Sequence, residues 1–388
     1  MKNTVVTVLL VAMVVCHGGN IEVGWSRSLP LAGEKLLITV KGAPPGFSAE
    51  VTSPRDGQQQ PVALQAAGNK LEMLPEEDGF YELALYGPDR TLLEKIEFPV
   101  LGRQIHIIFW DCPTTQRYVS ARQIWPEKDG DFWLTRGTLN LTWAPGLKAR
   151  PADKEALTGK YARRMQESDG ILIDEFYMGN PEYYPYQCQT VCPAIADARI
   201  QVPDKKIYAW TASIDPECST INQCIADSID LIIMETYMAS FLQYRRIAAR
   251  HRAAVESGWA EKSIIGLGIG EDWITTGKEA AQQIQSTKEQ LPDNAGIAFF
   301  GDGSRQEIMH AIDQSVRQYY LMPVLRLDKD RRRLSNFGGM TARGVKYEDA
   351  EGRLLTLAEL APTQSTDLGK TGCTLQKEPH YTILENGK

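Results

Sequence analysis

Histidine is scarce in this chain, and its few copies are scattered. Five histidines occur among 388 residues, and they form no cluster in the sequence. Zinc and other transition metals are usually held by grouped histidines and cysteines. The sequence therefore implies no bound metal and no organic cofactor.

An excess of positive charge is also missing. Lysine and arginine number 42 against 49 aspartates and glutamates, which gives a net charge of −7. A nucleic-acid partner would need a basic face on the protein. The one basic run, Asp330-Arg331-Arg332-Arg333, is interpreted as a solvated turn, with an anion or phosphate site as the alternative. No nucleic-acid partner is predicted.

Long apolar segments are absent beyond the first residues. Lys2 precedes an apolar run over 5–15, and Gly18 and Gly19 follow it, which is the layout of a signal peptide. The run is shorter than the ~20 apolar residues of a membrane-spanning helix, and a buried N-terminal strand is the alternative. We predict a signal peptide over 1–19, a secreted or periplasmic location, and no membrane insertion after cleavage. The oligomeric state stays open.

Cysteine is infrequent too, and the interpretation of the cysteines depends on the predicted export. Without Cys16 six remain, and an even number in an oxidising compartment favours disulfides. The six are Cys112, Cys188, Cys192, Cys218, Cys224 and Cys373. The first expectation is local pairing of Cys188 with Cys192 and of Cys218 with Cys224. Pairing between loops and free buried thiols are the alternatives, while the spacing lacks the tight pattern of a zinc knuckle.

Residues 20–101 have the pattern of an all-β domain. Short runs over 36–40, 49–52, 79–86 and 93–100 are separated by turn-forming glycines and prolines. Strands at this spacing predict a small β-sandwich of the immunoglobulin type. The Cys–Trp–Cys signature is absent, so the prediction concerns the architecture alone.

Short apolar runs alternate with helix-like segments over 102–325, which indicates βα units around a parallel sheet. The apolar runs cover 105–110, 138–143, 170–173, 206–210, 231–234, 264–269 and 296–300, with 322–325 as a candidate eighth. Helices are expected over 154–168, 241–257, 277–291 and 304–319. The predicted fold class is therefore α/β, a (β/α)8 TIM-type barrel preceded by the small sandwich.

A flat, doubly wound sheet is the alternative to the barrel. Such sheets usually have a glycine-rich phosphate turn after the first strand, and here that position holds Asp111-Cys112-Pro113. The remaining residues, 326–388, are polar and rich in turns. They predict a C-terminal β-rich extension or tail, with a strand over 354–357.

Carboxylates and aromatic side chains stand together at the ends of the predicted strands, where a (β/α) barrel builds its active site. Aromatic faces stack on pyranose rings, and paired carboxylates carry out the proton transfers of glycoside hydrolysis. The candidate catalytic residues are Glu175, Asp174 and Glu235. The candidate substrate-binding residues are Asp111, Trp110, Trp143, Tyr177, Trp210, Tyr237, Glu271 and Trp273. The structural alternatives are helix caps or lysine partners for the acids, and core positions for the aromatics.

A family resemblance appears at these strand ends. Ser168-Asp169-Gly170-Ile171-Leu172-Ile173-Asp174-Glu175 resembles the fourth-strand motif of the family-18 chitinase-like barrels. Ile233-Met234-Glu235-Thr236-Tyr237 resembles their sixth-strand motif, Ile265-Gly266-Leu267-Gly268-Ile269 the seventh, and Gly296-Ile297-Ala298-Phe299-Phe300 the eighth. The resemblance implies a first barrel strand over 105–110, a second and third between 132 and 143, and a fifth over 206–210.

The sequence departs from the chitinase motif at two positions. Phe176 stands where chitinases have the catalytic glutamate, and Leu172 stands where they have an aspartate. The Asp174-Glu175 ending is closer to the spherulin-4-like and endo-galactosaminidase-like relatives of the same broad clan. The departure argues against chitinase activity itself and keeps the location of the site.

The expected function is a secreted glycoside hydrolase that acts on a polysaccharide or glycan, with amino-sugar polymers among the candidates. Glu175 is expected to be the general acid, Asp174 to orient it or the substrate, and Glu235 to be the second carboxylate. Tyr237 is expected to donate a hydrogen bond near the scissile bond. A non-catalytic carbohydrate-binding barrel is the alternative, and an adhesion or scaffold protein that works through its β-sandwich is another.

Overall fold

A computed structural model describes residues 21–384 except 56–57, 63–64, 125–129, 151, 214–217, 239–242 and 302. The predicted signal peptide over 1–19 lies outside the described residues, as does Cys16. Within the described part of the chain, no helix combines the length and apolarity needed to cross a bilayer.

The N-terminal region forms two antiparallel sheets of four strands each. The first sheet has the order β1-β2-β6-β5, with β1 (Glu22–Trp25), β2 (Leu36–Lys41), β6 (Lys70–Met73) and β5 (Gln65–Ala67). The second has the order β4-β3-β7-β8, with β4 (Gln58–Val62), β3 (Ser48–Arg55), β7 (Gly79–Tyr86) and β8 (Leu92–Val100).

One hydrophobic core joins these two sheets. Alternate residues of β2 are buried, because successive side chains of a strand point to opposite faces. Ile38 of the first sheet and Leu83 of the second belong to the same buried cluster. Two antiparallel sheets over a common core agree with a sandwich, and the immunoglobulin type remains a prediction.

The central region is a closed parallel barrel of eight strands. In order around the barrel the strands are β9 (His106–Phe109), β10 (Ala121–Ile124), β11 (Leu139–Pro145), β12 (Gly170–Asp174), β13 (Lys206–Thr211), β14 (Leu231–Glu235), β15 (Ser263–Gly268) and β16 (Gly296–Phe300). β16 pairs with β9 and closes the ring. The predicted α/β barrel is confirmed, and the doubly wound sheet is wrong.

Two sequence predictions about the barrel strands are wrong. The second strand is β10, which lies before the stretch over 132–143 where the resemblance placed it. Its buried Arg122 and Gln123 interrupt the apolar pattern, so periodicity does not reveal a strand. The candidate eighth strand over 322–325 belongs instead to a C-terminal sheet.

Eight α-helices accompany these strands in the described residues. They are α1 (Gly130–Thr135), α2 (Lys154–Glu167), α3 (Tyr184–Tyr186), α4 (Cys192–Gln201), α5 (Ser219–Ser228), α6 (Arg245–Glu256), α7 (Gly277–Gln290) and α8 (Gln306–Val316). A π-helical turn, Gln187–Val191, links α3 to α4, and another, Arg317–Leu321, extends α8. The Asp153 side chain caps α2, and a Thr276–Glu279 capping box begins α7.

The barrel interior is filled, so a ligand can approach only at its ends. Leu172, Tyr208, Trp210 and Ile233 belong to a buried cluster that draws on all eight strands. A second cluster lies between the strands and the surrounding helices and includes Phe176 and Met234. Because both of these clusters are packed, side chains of several strands can meet around a ligand at the carboxyl ends of the strands.

The C-terminal region is a folded β unit rather than an extended tail. One sheet has the order β21-β18-β17-β23, with β21 (Ser365–Asp367), β18 (Arg333–Asn336), β17 (Val324–Leu327) and β23 (Thr382–Ile383). The other has the order β20-β19-β22, with β20 (Leu354–Leu360), β19 (Ala342–Glu348) and β22 (Thr374–Leu375). Leu325, Leu334, Val345 and Leu360 share one buried cluster that holds the two sheets together.

The predicted local disulfides do not match the positions of the thiols. All six described cysteines are free thiols. The Cys188 thiol lies within hydrogen-bonding reach of the Cys218 thiol, and the Cys192 thiol within reach of the Cys224 thiol. The neighbours therefore come from different segments of the barrel.

Candidate active site

Asp174 is the last residue of β12, and its carboxylate is held from two sides. Only 7% of the residue is exposed. The indole Nε1 of Trp143 donates to its Oδ2 at 3.2 Å, and the Lys148 Nζ donates to the same oxygen at 3.1 Å. A buried carboxylate that accepts from a cationic donor and from a second donor is fixed in position.

Glu175 follows in a backbone conformation that non-glycine residues seldom adopt. Its φ is 47°, in the left-handed region. The loop after β11 holds this strained turn, since Gly146 N donates to Asp174 O at 2.8 Å and Leu147 N donates to Glu175 O at 3.1 Å. Strain that the surroundings enforce is a common feature of functional sites.

Lys148 ties the two neighbouring acids together. Its Nζ lies 3.1 Å from Asp174 Oδ2 and 3.0 Å from Glu175 Oε1. Burial acts to lower the pKa of Lys148, but hydrogen bonds to Glu175 and Asp174 and their negative charges raise it above its usual value. The ammonium group therefore stays charged, and both carboxylates are ion-paired with it.

Glu235 ends β14 and is the carboxyl group most able to hold a proton. Burial raises its pKa to about 7, and the negative charges of Asp174 and Glu175 act in the same direction. Arg250 on α6 and Lys148 oppose the shift. Near pH 7 this side chain can therefore give up a proton or accept one.

Aromatic rings line the rim beside these acids. Tyr237 stacks on Phe300 with ring centroids 5.2 Å apart, and Trp273 lies 4.9 Å from Tyr237. Trp110 meets Phe300 edge-on at 4.9 Å. Trp210 is fully buried beneath these rings and packs against Trp110, so it supports the aromatic rim from the barrel interior.

The remaining candidates have local partners or face solvent. Tyr177 is buried, and its hydroxyl donates to the Tyr184 hydroxyl at 2.6 Å, which fixes the segment after β12. Asp111 is exposed after β9 and accepts from the Cys112 backbone N–H at 3.0 Å, as in a local turn. Glu271 is exposed in the loop after β15.

Sequence reasoning missed Lys148 and Arg250. Lys148 lies in a 3-10 turn after β11, far along the chain from Asp174. Arg250 lies within a helix whose other charged residues read as an ordinary polar face. A search for basic residues just beyond each predicted strand would have found Lys148, whereas nothing in the local pattern singles out Arg250.

A cavity of about 650 Å³ lies elsewhere, where the N-terminal sheets meet the barrel. Trp25, Phe98 and Phe132 are among its lining residues. Its barrel residues precede β10 and β11, so it opens at the amino ends of the strands. The carboxyl groups gather at the other end, where barrel enzymes carry out their chemistry.

The arrangement combines two ion-paired carboxylates with a third carboxyl group that holds a proton near neutral pH. An ionised carboxylate and a protonated carboxyl group can supply the base and the acid of one reaction. In the described residues, no group of three or more histidine, cysteine, aspartate or glutamate side chains is placed to hold a metal ion.

The sequence matches no protein-family model and no curated protein. Solved structures that resemble the chain include glycoside hydrolases. A beta-glucuronidase from an uncultured Clostridium species is 11% identical, with a TM-score of 0.36 over 77% of this chain and 68% of its own. The glycoside hydrolase domain of PgaB from Bordetella bronchiseptica is 9% identical, with a TM-score of 0.38 over 56% of this chain and 99% of its own. The type III pullulan hydrolase from Thermococcus kodakarensis is 9% identical, with a TM-score of 0.32 over 87% of this chain and 98% of its own. At such identities and TM-scores, nothing about the site or substrate of this chain follows from them.

Proposed function

We propose that this protein is a glycoside hydrolase that cleaves a polysaccharide or glycan by carboxylate acid and base catalysis. The observation that carries the proposal is Glu235, a carboxyl group with a pKa of about 7 beside ion-paired Asp174 and Glu175. Glycoside hydrolysis requires one acid that can donate a proton to the leaving oxygen and one ionised carboxylate. The aromatic rim beside them is suited to stacking on sugar rings.

The roles within the site differ from the expectation that Glu175 is the acid. Glu175 is paired with Lys148, and an ion pair requires the carboxylate to be without its proton. Glu235 is the better proton donor, because burial and two neighbouring negative charges favour its protonated form. Asp174 is assigned as the ionised carboxylate at the reacting carbon or its water, and Glu175 as a residue that binds substrate hydroxyls.

The proposal extends to the substrate class and to the cellular location of the protein. The aromatic rim formed by Trp110, Tyr237, Trp273 and Phe300 supports a carbohydrate partner. Amino-sugar polymers stay among the candidate substrates. The resemblance to the family-18 chitinase-like and spherulin-4-like clan remains a prediction. Export through a signal peptide over 1–19 is proposed on the sequence pattern alone.

The test is release of reducing ends from a panel of glycans that includes amino-sugar polymers. We expect Glu235→Gln and Asp174→Asn to lower release by roughly 100-fold or more, since each removes one of the two required groups. Glu261→Gln is the matched control, because Glu261 is exposed in the turn that precedes β15, at the amino ends of the barrel strands, and it should leave the rate unchanged. If no glycan is cleaved and wild type and Glu235→Gln bind glycan equally, the protein is a carbohydrate-binding barrel instead.

A further inference from the structure

Two pairs of thiols face each other across neighbouring segments of the barrel. Cys188 lies in the π-helical turn after α3, and its thiol reaches that of Cys218, which immediately precedes α5. One turn further along, Cys192 at the start of α4 reaches Cys224 inside α5. The Cys224 thiol also lies 3.9 Å from the Cys192 carbonyl oxygen. Both contacts join the segment that follows β12 to the segment that follows β13.

We propose that Cys188 bonds to Cys218 and Cys192 bonds to Cys224 when the protein meets an oxidising compartment. The proposal does not depend on the glycosidase activity, because its products are covalent bonds that can be identified directly.

Helix geometry excludes the local alternative. Cys218 and Cys224 are six residues apart at the start of one helix, which separates them by about 9 Å along its axis. A disulfide joins Cα atoms that are roughly 4.4–6.8 Å apart. Cys218 and Cys224 therefore cannot bond without unwinding α5, and the scheme of two local pairs fails.

The two bonds would fasten the rim next to the catalytic carboxylates. The segment after β12 begins at Glu175. It already contacts the end of β13 and the residue that follows, since Thr211 Oγ1 and Ala212 N both donate to Tyr177 O at 3.0 Å. A Cβ added at Gly179 would lie 2.4 Å from Ser213 Oγ, so the two segments pack without a gap. Cross-links at Cys188 and Cys192 would hold the far end of the same segment.

Each bond forms by ordinary thiol–disulfide exchange with a disulfide oxidant such as glutathione disulfide. One thiolate attacks the oxidant and releases a thiol, and the second cysteine then displaces the other half. In total two cysteine thiols lose two protons and two electrons, and the oxidant is reduced to two thiols. Burial raises the pKa of the Cys188 thiol to about 11, so exchange in the folded protein is slow and the bonds form chiefly during folding.

The test is disulfide mapping of the full chain refolded in a buffer of glutathione and glutathione disulfide. Free thiols are alkylated, and tandem mass spectrometry identifies which cysteines carry the label. In the wild type we expect label on Cys112 and Cys373 and none on the other four described cysteines. Label on all of those four would overturn the proposal.

Single substitutions decide the pairing. Cys188→Ser should expose Cys218 to the label and leave Cys192 and Cys224 unlabelled, whereas local pairing would expose Cys192. Cys112→Ser is the matched control, since it removes a buried thiol outside the two pairs and should expose no other cysteine. A label on Cys192 in Cys188→Ser would contradict the assignment.

Limited proteolysis then measures the effect on the rim. Chymotrypsin should cut after Tyr183 or Tyr186 at least several-fold faster once the protein is reduced, because the cross-links no longer hold this segment. The Cys188→Ser/Cys192→Ser double variant should be cut at the faster rate with or without reductant. Equal rates for the reduced and oxidised wild type would refute the fastening of the rim, while the mapping would still decide the bonds.

Discussion

At the scale of single residues, Glu235 determines how the site should respond to pH. Its carboxyl group must carry a proton to act as the general acid, and its pKa lies at about 7. We therefore expect kcat/KM to fall as the pH rises through about 7, roughly tenfold per pH unit beyond it. A pH–rate profile on the best glycan substrate measures this, and a rate that rises through the same range would assign Glu235 as a base.

The same residue should also make folding stability depend on pH. The pKa of Glu235 is higher in the folded protein than its ordinary value of 4.5, so the folded state binds the proton more tightly than the unfolded state. The stability it contributes is complete below about pH 4.5 and is lost as the pH rises through about 7. Glu235→Gln removes this loss, because an amide does not ionise.

We expect Glu235→Gln to match the wild type at pH 4 and to exceed its free energy of unfolding by roughly 2–3 kcal/mol at pH 8. Denaturant titrations at the two pH values measure the difference. Glu271→Gln should show no such dependence, since Glu271 is exposed. If the variant is no more stable than the wild type at pH 8, nearby groups offset the cost of burying the ionised Glu235 carboxylate.

At the scale of elements, the turn that presents Asp174 and Glu175 depends on Gly146. A Cβ at this position would lie 2.5 Å from Asp174 O and 2.6 Å from Glu175 O, which are backbone atoms with little freedom to move. Gly146→Ala should therefore displace the end of β12 and lower activity by roughly 10-fold or more, since small displacements of catalytic groups are costly. Activity and thermal unfolding, measured together, separate displacement of the site from loss of the fold.

Gly159 in α2 provides the matched control. Nothing lies within 4 Å of a Cβ added there. Alanine in an exposed helix interior stabilises by about 0.5–1 kcal/mol relative to glycine. Gly159→Ala should therefore keep full activity with slightly raised stability, and equal behaviour of the two variants would rule out a special role for Gly146.

The elements that sequence reasoning found share one physical property. The runs that became β12 to β16 are buried on both faces, and burial on both faces gives continuous apolar sequence. β10 was missed because Arg122 and Gln123 are buried polar residues inside a strand. The sequence pattern predicts no helix between 177 and 205, yet most of this stretch is helical from Pro181 onward, because its prolines and aromatics mask the helical periodicity.

The candidate site was predictable only where its residues end apolar strands. Asp174, Glu175 and Glu235 directly follow such runs, so their gathering at one rim follows from the barrel topology. The pKa of Glu235 depends on its burial and on the charges of Asp174 and Glu175, and the ion pairs of those two acids with Lys148 join separate βα units. No local pattern encodes that contact, so the roles of the three acids required the folded arrangement.

At the scale of the whole molecule, a buried carboxylate connects the first and last regions of the chain. Asp78, next to β7, is 6% exposed. It accepts hydrogen bonds from Thr341 N at 3.0 Å, from Thr341 Oγ1 at 2.7 Å and from Arg343 Nη1 at 3.1 Å. A further contact, from Gly102 N to Gly339 O at 2.7 Å, reinforces the same junction.

Asp78→Ala should therefore weaken the junction, because it removes the acceptor of the Thr341 N–H and hydroxyl and leaves Arg343 with only Glu77 as an acidic partner. We expect a loss of roughly 2–4 kcal/mol in the free energy of unfolding. Asp367→Ala is the control, since the Asp367–Arg332 pair is exposed on both sides and its loss should leave the free energy of unfolding nearly unchanged. Denaturation followed by tryptophan fluorescence reports mainly on the barrel, which contains most of the tryptophans, and glycan cleavage reports on the site.

If Asp78→Ala lowers the stability seen by fluorescence while each folded molecule keeps its rate, the terminal regions brace the barrel without taking part in its chemistry. An unchanged fluorescence transition would instead mean that the barrel folds independently of the junction.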